Sequence, residues 1–304
     1  MTPPFISFAE GEALMTWDGL GQAFLHGHTR PKASIEDSFL YRGDDTVLSR
    51  AAWIDGMGQL VKTATIFPGN AAQGLSSING AVTLFSDETG VLEAVIDFHL
   101  VTKWKTAGDS VFAATQLARP DSRNILIVGA GTVAHSLREA YGALFPDAQF
   151  TVWNRSPAGA EALAAAYPNV TVASDLEAAV RAADIVTCAT MSTQPILHGD
   201  WLQPGQHIDL IGAYRPDMRE ADDACLQRAR IFVDSRDTTL GHIGEIKIPL
   251  EANTISEVDI LADYYQPEQF KRLNTDEITL FKNGGGAHLD LMTSRYILEA
   301  WRAR

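Results

Sequence analysis

Cysteine is scarce: Cys188 and Cys225 are the only two in 304 residues. That excludes a disulfide framework and a cysteine-built zinc site, and it leads us to expect a reducing cytoplasm. No apolar run is long enough to span a bilayer. The opening Met-Thr-Pro-Pro-Phe lacks the basic stretch and apolar core of a secretory leader. Positive charge is in short supply, 24 Lys and Arg against 38 Asp and Glu, for a formal net charge of −14. Such a surface argues against nucleic acid and anionic membranes as partners. It leaves a small anionic substrate open, because local cations override the global sign. There is no internal repeat, no low-complexity segment, and no cluster with metal-ligand spacing, so no metal is expected. What remains is long enough for two domains with substantial cores.

The most informative stretch is Asn124-Ile-Leu-Ile-Val-Gly-Ala-Gly-Thr-Val-Ala134. A five-residue apolar run reads as a buried strand, Gly129-Ala130-Gly131 as a turn, and 132–144 as a helix. Strand, glycine turn and helix in this order form the first unit of a dinucleotide-binding fold. Gly129 permits the tight turn. Gly131, without a Cβ, lets a pyrophosphate approach the backbone, and the helix start supplies N–H groups and partial positive charge.

Strand–helix alternation continues from there. Strands are expected at 149–153, 169–173, 184–188, 206–211, 230–233 and 277–281, and helices at 157–166, 175–183, 220–229 and 255–264. This is a parallel sheet covered on both faces. Residues 1 to about 116 read differently. A helix starts at 8–15, strands at 46–53, 58–67, 77–85 and 91–96 are joined by short turns, and a long helix covers 102–117. The expected fold class is α/β, a Rossmann-type doubly wound parallel sheet plus a mostly antiparallel α+β dimerisation and substrate domain. The nucleotide domain is placed at 119–283 and the other domain at 1–118 with 284–304, where a final helix of about 287–301 closes the chain.

At the second strand's tip an Asp or Glu would bond the ribose 2′-hydroxyl of NAD. Here Asn154-Arg155-Ser156 stands there instead. Arg155 can pair with a phosphate, and Asn154 and Ser156 can donate hydrogen bonds, which favours NADP(H) over NAD(H). In the first domain, Lys62 sits inside the apolar run Leu60-Val-Lys-Thr-Ala-Thr-Ile-Phe67, and Lys103 and Lys105 flank Trp104. The pattern alone does not assign them, and the register that sets the face of Lys62 is open.

Taken with the glycine turn, Val61-Lys-Thr-Ala-Thr-Ile-Phe-Pro-Gly-Asn70, Trp104-Lys-Thr-Ala-Gly-Asp-Ser110 and Asp276-Glu-Ile-Thr-Leu-Phe-Lys282 resemble the ornithine cyclodeaminase/μ-crystallin family. The resemblance covers almost the whole chain. It implies a homodimer and a site holding nicotinamide against a small imino or amino acid. By position it implies that Lys62 contacts a substrate carboxylate and assists proton transfer. Lys105 stands where many members carry Arg, keeping the charge but losing the planar fork. The resemblance further implies cofactor contacts at Ser77, Thr132, Val133, Asn154, Thr190, Gly212 and Asn283, beside Gly129, Gly131, Arg155 and Ser156, with Gly284 at the substrate. Lys32 or Arg30 is a further candidate for the carboxylate.

One departure is instructive. Members with ornithine cyclodeaminase activity carry an Asp two residues before the proline of Ile211-Gly-Ala-Tyr-Arg-Pro216, and this chain has Tyr214. A phenol of ordinary pKa is a poor base at neutral pH. The resemblance therefore implies a reductase of a cyclic imino acid, converting Δ1-pyrroline-2-carboxylate to L-proline and also Δ1-piperideine-2-carboxylate to L-pipecolate. Lys62 and Lys105 would clamp the carboxylate, with Tyr214 as ring-facing wall or proton relay. An ornithine cyclodeaminase, an alanine dehydrogenase-like oxidoreductase and a non-catalytic NADPH-binding protein are the alternatives. His26, His28 and His242 read as loop residues, and His288 as a group behind the nicotinamide pocket.

Overall fold

A computed structural model describes residues 2–304, the Ala71 side chain excepted. The chain divides into two compact units, Met1–Lys105 with Gly286–Arg304, and Thr106–Gly285. The division falls inside a helix, where the sequence reading draws its boundary after that helix, at Pro120.

The first unit holds β1 (Phe5–Ile6), α1 (Phe8–Glu12), α2 (Trp17–His28), β2 (Ser34–Arg42), β3 (Asp45–Ile54), β4 (Gly58–Ile66), β5 (Ile78–Phe85) and β6 (Leu92–Asp97). Its strands form one sheet in the order β1-β6-β5-β4-β3-β2. Neighbours are antiparallel, except that β1 runs parallel to β6. Helix α1 begins in a capping box, with Ser7 and Glu10 satisfying each other's backbone N–H groups. In α2, Trp17, Leu20, Phe24 and Gly27 are buried, a helical stripe. His26 and His28 lie in the last turn of α2 rather than in a loop.

Helix α3 (Phe98–Leu117) starts four residues earlier than its apolar pattern indicates, with Asp97 Oδ1 accepting the Leu100 N–H at its start.

The second unit alternates β7 (Asn124–Val128), α4 (Thr132–Leu144), β8 (Gln149–Trp153), α5 (Pro157–Ala166), β9 (Val170–Val172), α6 (Leu176–Ala182), β10 (Ile185–Cys188), β11 (His207–Leu210), α7 (Asp223–Arg228), β12 (Arg230–Val233), α8 (Arg236–Thr239), α9 (Gly244–Glu251), β13 (Ile260–Ala262) and β14 (Thr279–Lys282). All eight strands are parallel, in the order β13-β12-β14-β11-β10-β7-β8-β9. Val128, Val186, Leu210, Val233 and Leu280 share one core cluster. Each fully buried aliphatic side chain contributes roughly 1.5–3 kcal/mol. Strand order reverses between β7 and β10, and ligands of such sheets bind outside the strand ends at that reversal.

Two expectations are corrected here. Residues 255–264 do not form a helix: Ser256 and Asp259 close a single capped turn, and Ile260-Leu-Ala262 then pairs with β12 as β13. The glycine-flexed stretch around His242 is not all loop, because α9 starts at Gly244 and buries Glu245 and Ile246. The final helix, α10 (Ala287–Arg302), belongs to the first unit and packs on α2, β3, β4 and β5. A Cβ on Gly27 would lie 2.4 Å from the Met292 sulfur, so α2 and α10 meet where one side chain is missing.

Candidate active site

In the first unit the strand register settles the face of Lys62. Leu60, Lys62 and Ala64 alternate on the buried side of β4, and Lys62 is 6% exposed. Directly across the ladder stands Arg50 on β3, and across from Arg50 stands Asp37 on β2. Lys62 Nζ donates to Asp290 Oδ1 of α10 at 2.8 Å and lies 4.9 Å from the centre of the Phe98 ring. Arg50 pairs with Asp37 at 2.7 Å and lies 3.7 Å from the other Asp290 oxygen. Lys105 is equally buried and acts on both Lys62 and Asp290. Lys103, on the other side of α3, is engaged elsewhere: its ammonium meets Glu12 at 2.6 Å, and Glu12 also accepts from Trp104. The structure thus separates two lysines that sequence spacing left equivalent.

The electrostatics follow from this crowding. Burial would push the Asp290 carboxyl up, but Lys62, Lys105 and Arg50 outweigh it and hold it below the usual carboxylate range. Burial drives Lys62 down to about 8, with Asp290 opposing the fall and Lys105 adding to it. His288, two residues before Asp290 in α10, is fully buried and lowered to about 3 by burial and then by Lys105, so it stays neutral. Its ring meets His28 edge-on, with centroids 5.3 Å apart. Three cations around one buried carboxylate form a group that attracts an anion. Sequence reading missed Asp290 and Arg50. An acidic residue within the apolar run His288-Leu-Asp-Leu-Met292 was the available signal for the first. Ser77, half-buried, also belongs to this unit and accepts the Phe67 N–H on its carbonyl.

The second unit carries the remaining candidates. Gly129 has φ +107, and a Cβ there would lie 2.7 Å from the Ala189 carbonyl oxygen. A Cβ on Gly131 would meet no atom within 4 Å, so nothing in the protein itself requires glycine there. Gly131 caps α4 without a side-chain bond, which leaves the first-turn amides of Thr132 and Val133 to an external acceptor. An open turn ending in a thirteen-residue helix start fits a dinucleotide pyrophosphate. Asn154 closes the loop after β8 by donating to the Ser156 carbonyl, while Arg155 and Ser156 are exposed. Thr190 and Gly212 lie at the carboxyl ends of β10 and β11, and both donate to the buried Glu220. Asn283 donates to the Thr106 carbonyl and the Ser110 hydroxyl. Gly284 has a packing reason for lacking a side chain, since a Cβ would fall 2.4 Å from Thr239 Oγ1. Tyr214 is 56% exposed, its ring near the Arg215 guanidinium. Glu220, Glu245 and Lys282 also lie buried here, and sequence reading did not single them out.

An all-parallel sheet with an open glycine turn at its reversal point is a Rossmann-type dinucleotide-binding protein. The chain belongs to the ornithine cyclodeaminase/mu-crystallin family, whose profile matches residues 54–304. It is 50% identical over 303 residues to the Delta(1)-pyrroline-2-carboxylate reductase of Paracoccus denitrificans, covering 97% of this chain and 96% of that protein. Among solved structures it resembles Thermococcus litoralis Delta(1)-pyrroline-2-carboxylate reductase in complex with NADH and L-proline. That likeness has a TM-score of 0.88 at 25% identity, over 97% of this chain and 96% of that one. An archaeal alanine dehydrogenase dimer with bound NAD aligns with a TM-score of 0.90 at 25% identity, over 100% and 97%.

Proposed function

We propose that this chain reduces a cyclic imino acid, Δ1-pyrroline-2-carboxylate to L-proline, and accepts the six-membered Δ1-piperideine-2-carboxylate as well. The observation that carries the reading is the buried group of Lys62, Lys105 and Arg50 around Asp290, in a chain half identical to a reductase of that name.

A ring imine beside a carboxylate needs little from a protein. Its carboxylate must be gripped, its nitrogen kept protonated, and water excluded. Lys62 and Lys105 provide the grip, with Arg50 beside them. Asp290 keeps Lys62 charged in a place where burial alone would strip its proton. Lys62 is then an ammonium able to hold a proton at the imine nitrogen. When bound, the reduced nicotinamide supplies the hydride that the imine carbon accepts. By the family resemblance Tyr214 would serve as a wall or a proton relay, and Gly284 as a substrate contact.

The proposed cofactor is NADP(H). Arg155 is exposed and makes no ion pair among the described residues, so its guanidinium is open to a 2′-phosphate. The proposed assembly is a homodimer through the first unit. Its edge strand β2 exposes Phe39, Leu40 and Tyr41 in a row, Leu40 at 69% and Tyr41 at 73%, an apolar edge that proteins normally cover. A cytoplasmic setting accords with two free, buried thiols, Cys188 and Cys225. No helix among the described residues is long and apolar enough to cross a membrane.

The test is turnover by purified protein. NADPH oxidation with either cyclic imine, yielding L-proline or L-pipecolate, is the expected result. Ammonia release from ornithine with NAD, or reductive amination of pyruvate in preference to the imines, overturns the substrate assignment. NADPH binding without turnover on any of these substrates overturns the enzymatic reading.

A further inference from the structure

We infer that Glu220 is a positioning residue for the dinucleotide site, its buried carboxylate tying the loop after β10 to the loop after β11 and holding both against the glycine turn. The inference rests on the nucleotide-dependent reading above. Glu220 touches neither strand end through its backbone alone. Its Oε1 accepts the Thr190 N–H at 2.7 Å and the Thr190 hydroxyl at 2.8 Å, and its Oε2 accepts the Gly212 N–H at 2.6 Å. The two loops are in backbone contact: a Cβ on Gly212 would lie 1.8 Å from the Thr190 carbonyl oxygen. The first of them abuts the glycine turn, where a Cβ on Gly129 would lie 2.7 Å from the Ala189 oxygen. One carboxylate therefore sets the spacing of three segments, all at the strand ends where this class of sheet binds nucleotides.

A second carboxylate sets the first. Glu245, reaching in from α9, accepts the N–H groups of Glu220 at 2.7 Å and Ala221 at 3.0 Å. Both acids are fully buried. Lys282, buried at the end of β14 and donating to the Leu210 carbonyl at 2.9 Å, acts on both of them. Two acids buried beside one another are expensive, and apolar residues of similar volume would pack such a place at least as stably. Their use here is directional. Each accepts from backbone N–H groups that lie outside the regular helix and strand ladders, and so fixes loops that no secondary structure holds.

In Glu220→Gln the amide oxygen can satisfy one loop, but its NH2 faces an N–H donor on the other, so one tie is lost. Titration of the intact protein with NADPH, followed by cofactor fluorescence, reads the effect. Expected are an NADPH Kd raised about ten-fold or more, a kcat at saturating NADPH within about three-fold, and an unchanged KM for the imino acid. Glu245→Gln, one step further out, shifts the Kd less. Should Glu220→Gln fail to fold, Glu245→Gln carries the test, with a rise of a few-fold expected. An NADPH Kd within two-fold of the native value, in a folded Glu220→Gln protein whose only change is a lower Tm, overturns the inference and leaves the proposed reaction standing. A native protein that binds neither NADPH nor NADH removes both.

Discussion

Replacing Asp290 with Asn probes the first-unit site most directly, because volume and a hydrogen-bonding atom are kept and only charge is lost. Lys62 Nζ and Asp290 Oδ1 are 2.8 Å apart in a buried setting. At an effective dielectric of about 20 their attraction is about 6 kcal/mol. Removing one partner of a buried pair costs about 3–5 kcal/mol, because the other charge is left without compensation. The lysine relieves that cost by losing its proton. At 1.36 kcal/mol per pKa unit, the cost corresponds to a fall of about two units or more. Lys62 stands at about 8 in the native protein, so in the variant it falls to about 6 or below. The ammonium is the working form, so activity is present below this pKa and is lost as pH rises through it. The alkaline limb of kcat/KM thus moves from near 8 to near 6, and at pH 7.5 the variant is roughly twenty-fold slower than the native enzyme. The substrate's own ionisation is common to both proteins and cancels in the ratio. Activity of Asp290→Asn recovers relative to native on lowering the pH to about 5.5. If the two profiles overlay along the alkaline limb, Asp290 does not govern Lys62 and the reasoning is refuted.

Other outcomes follow from the second unit and from the sheet edge. Arg155→Ala raises the KM for NADPH by about ten-fold or more, the worth of a lost charge-assisted contact, and leaves the KM for NADH little changed; equal effects on both cofactors would contradict the 2′-phosphate role. Gly131→Val meets no protein atom at its Cβ, so Tm holds within about 2 °C while dinucleotide affinity falls about a hundred-fold or more, read by calorimetry and fluorescence titration. Leu40→Glu places a charge on the exposed row of β2 and halves the sedimenting mass of the assembly without lowering helix or strand content. An unchanged mass would rule that edge out as the subunit contact.

Half of this molecule was legible in its sequence for a physical reason. In the parallel sheet the central strands, such as β7, β10 and β12, are buried on both faces, so each reads as a short apolar run. The ranges of β7, α4, β8, α5 and β12 emerge from pattern alone. The antiparallel unit is harder. Strand β2 is exposed along nearly all its length, and its mixed composition carries no alternation, so sequence reading passes over it. The 255–264 stretch has an apolar content that suits a helix or a strand equally, and pairing with β12 decides between them. The site shows the same division. Gly129, Gly131 and Arg155 belong to one continuous local motif. The partners of Lys62 do not. Arg50 is defined only by strand register and Asp290 only by the return of α10, both long-range facts that no local window contains. Glu220 and Glu245 were hidden in the same way, since their partners are backbone N–H groups on other segments.

The return of α10 also dictates an order of manufacture. Lys62 and its counter-ion lie 228 residues apart. At ribosomal rates of about 5–20 residues per second, roughly 10 to 50 s pass between their emergence. During that interval a nascent chain can seat the lysine in its final place only as an unneutralised charge or as a neutral amine, whereas the nucleotide half, Thr106–Gly285, is continuous and available to fold first. The first unit is finished only when the last helix arrives. A ribosome stalled before Asp290 would therefore release a polypeptide with a competent middle and an unsealed sheet, a natural target for quality control.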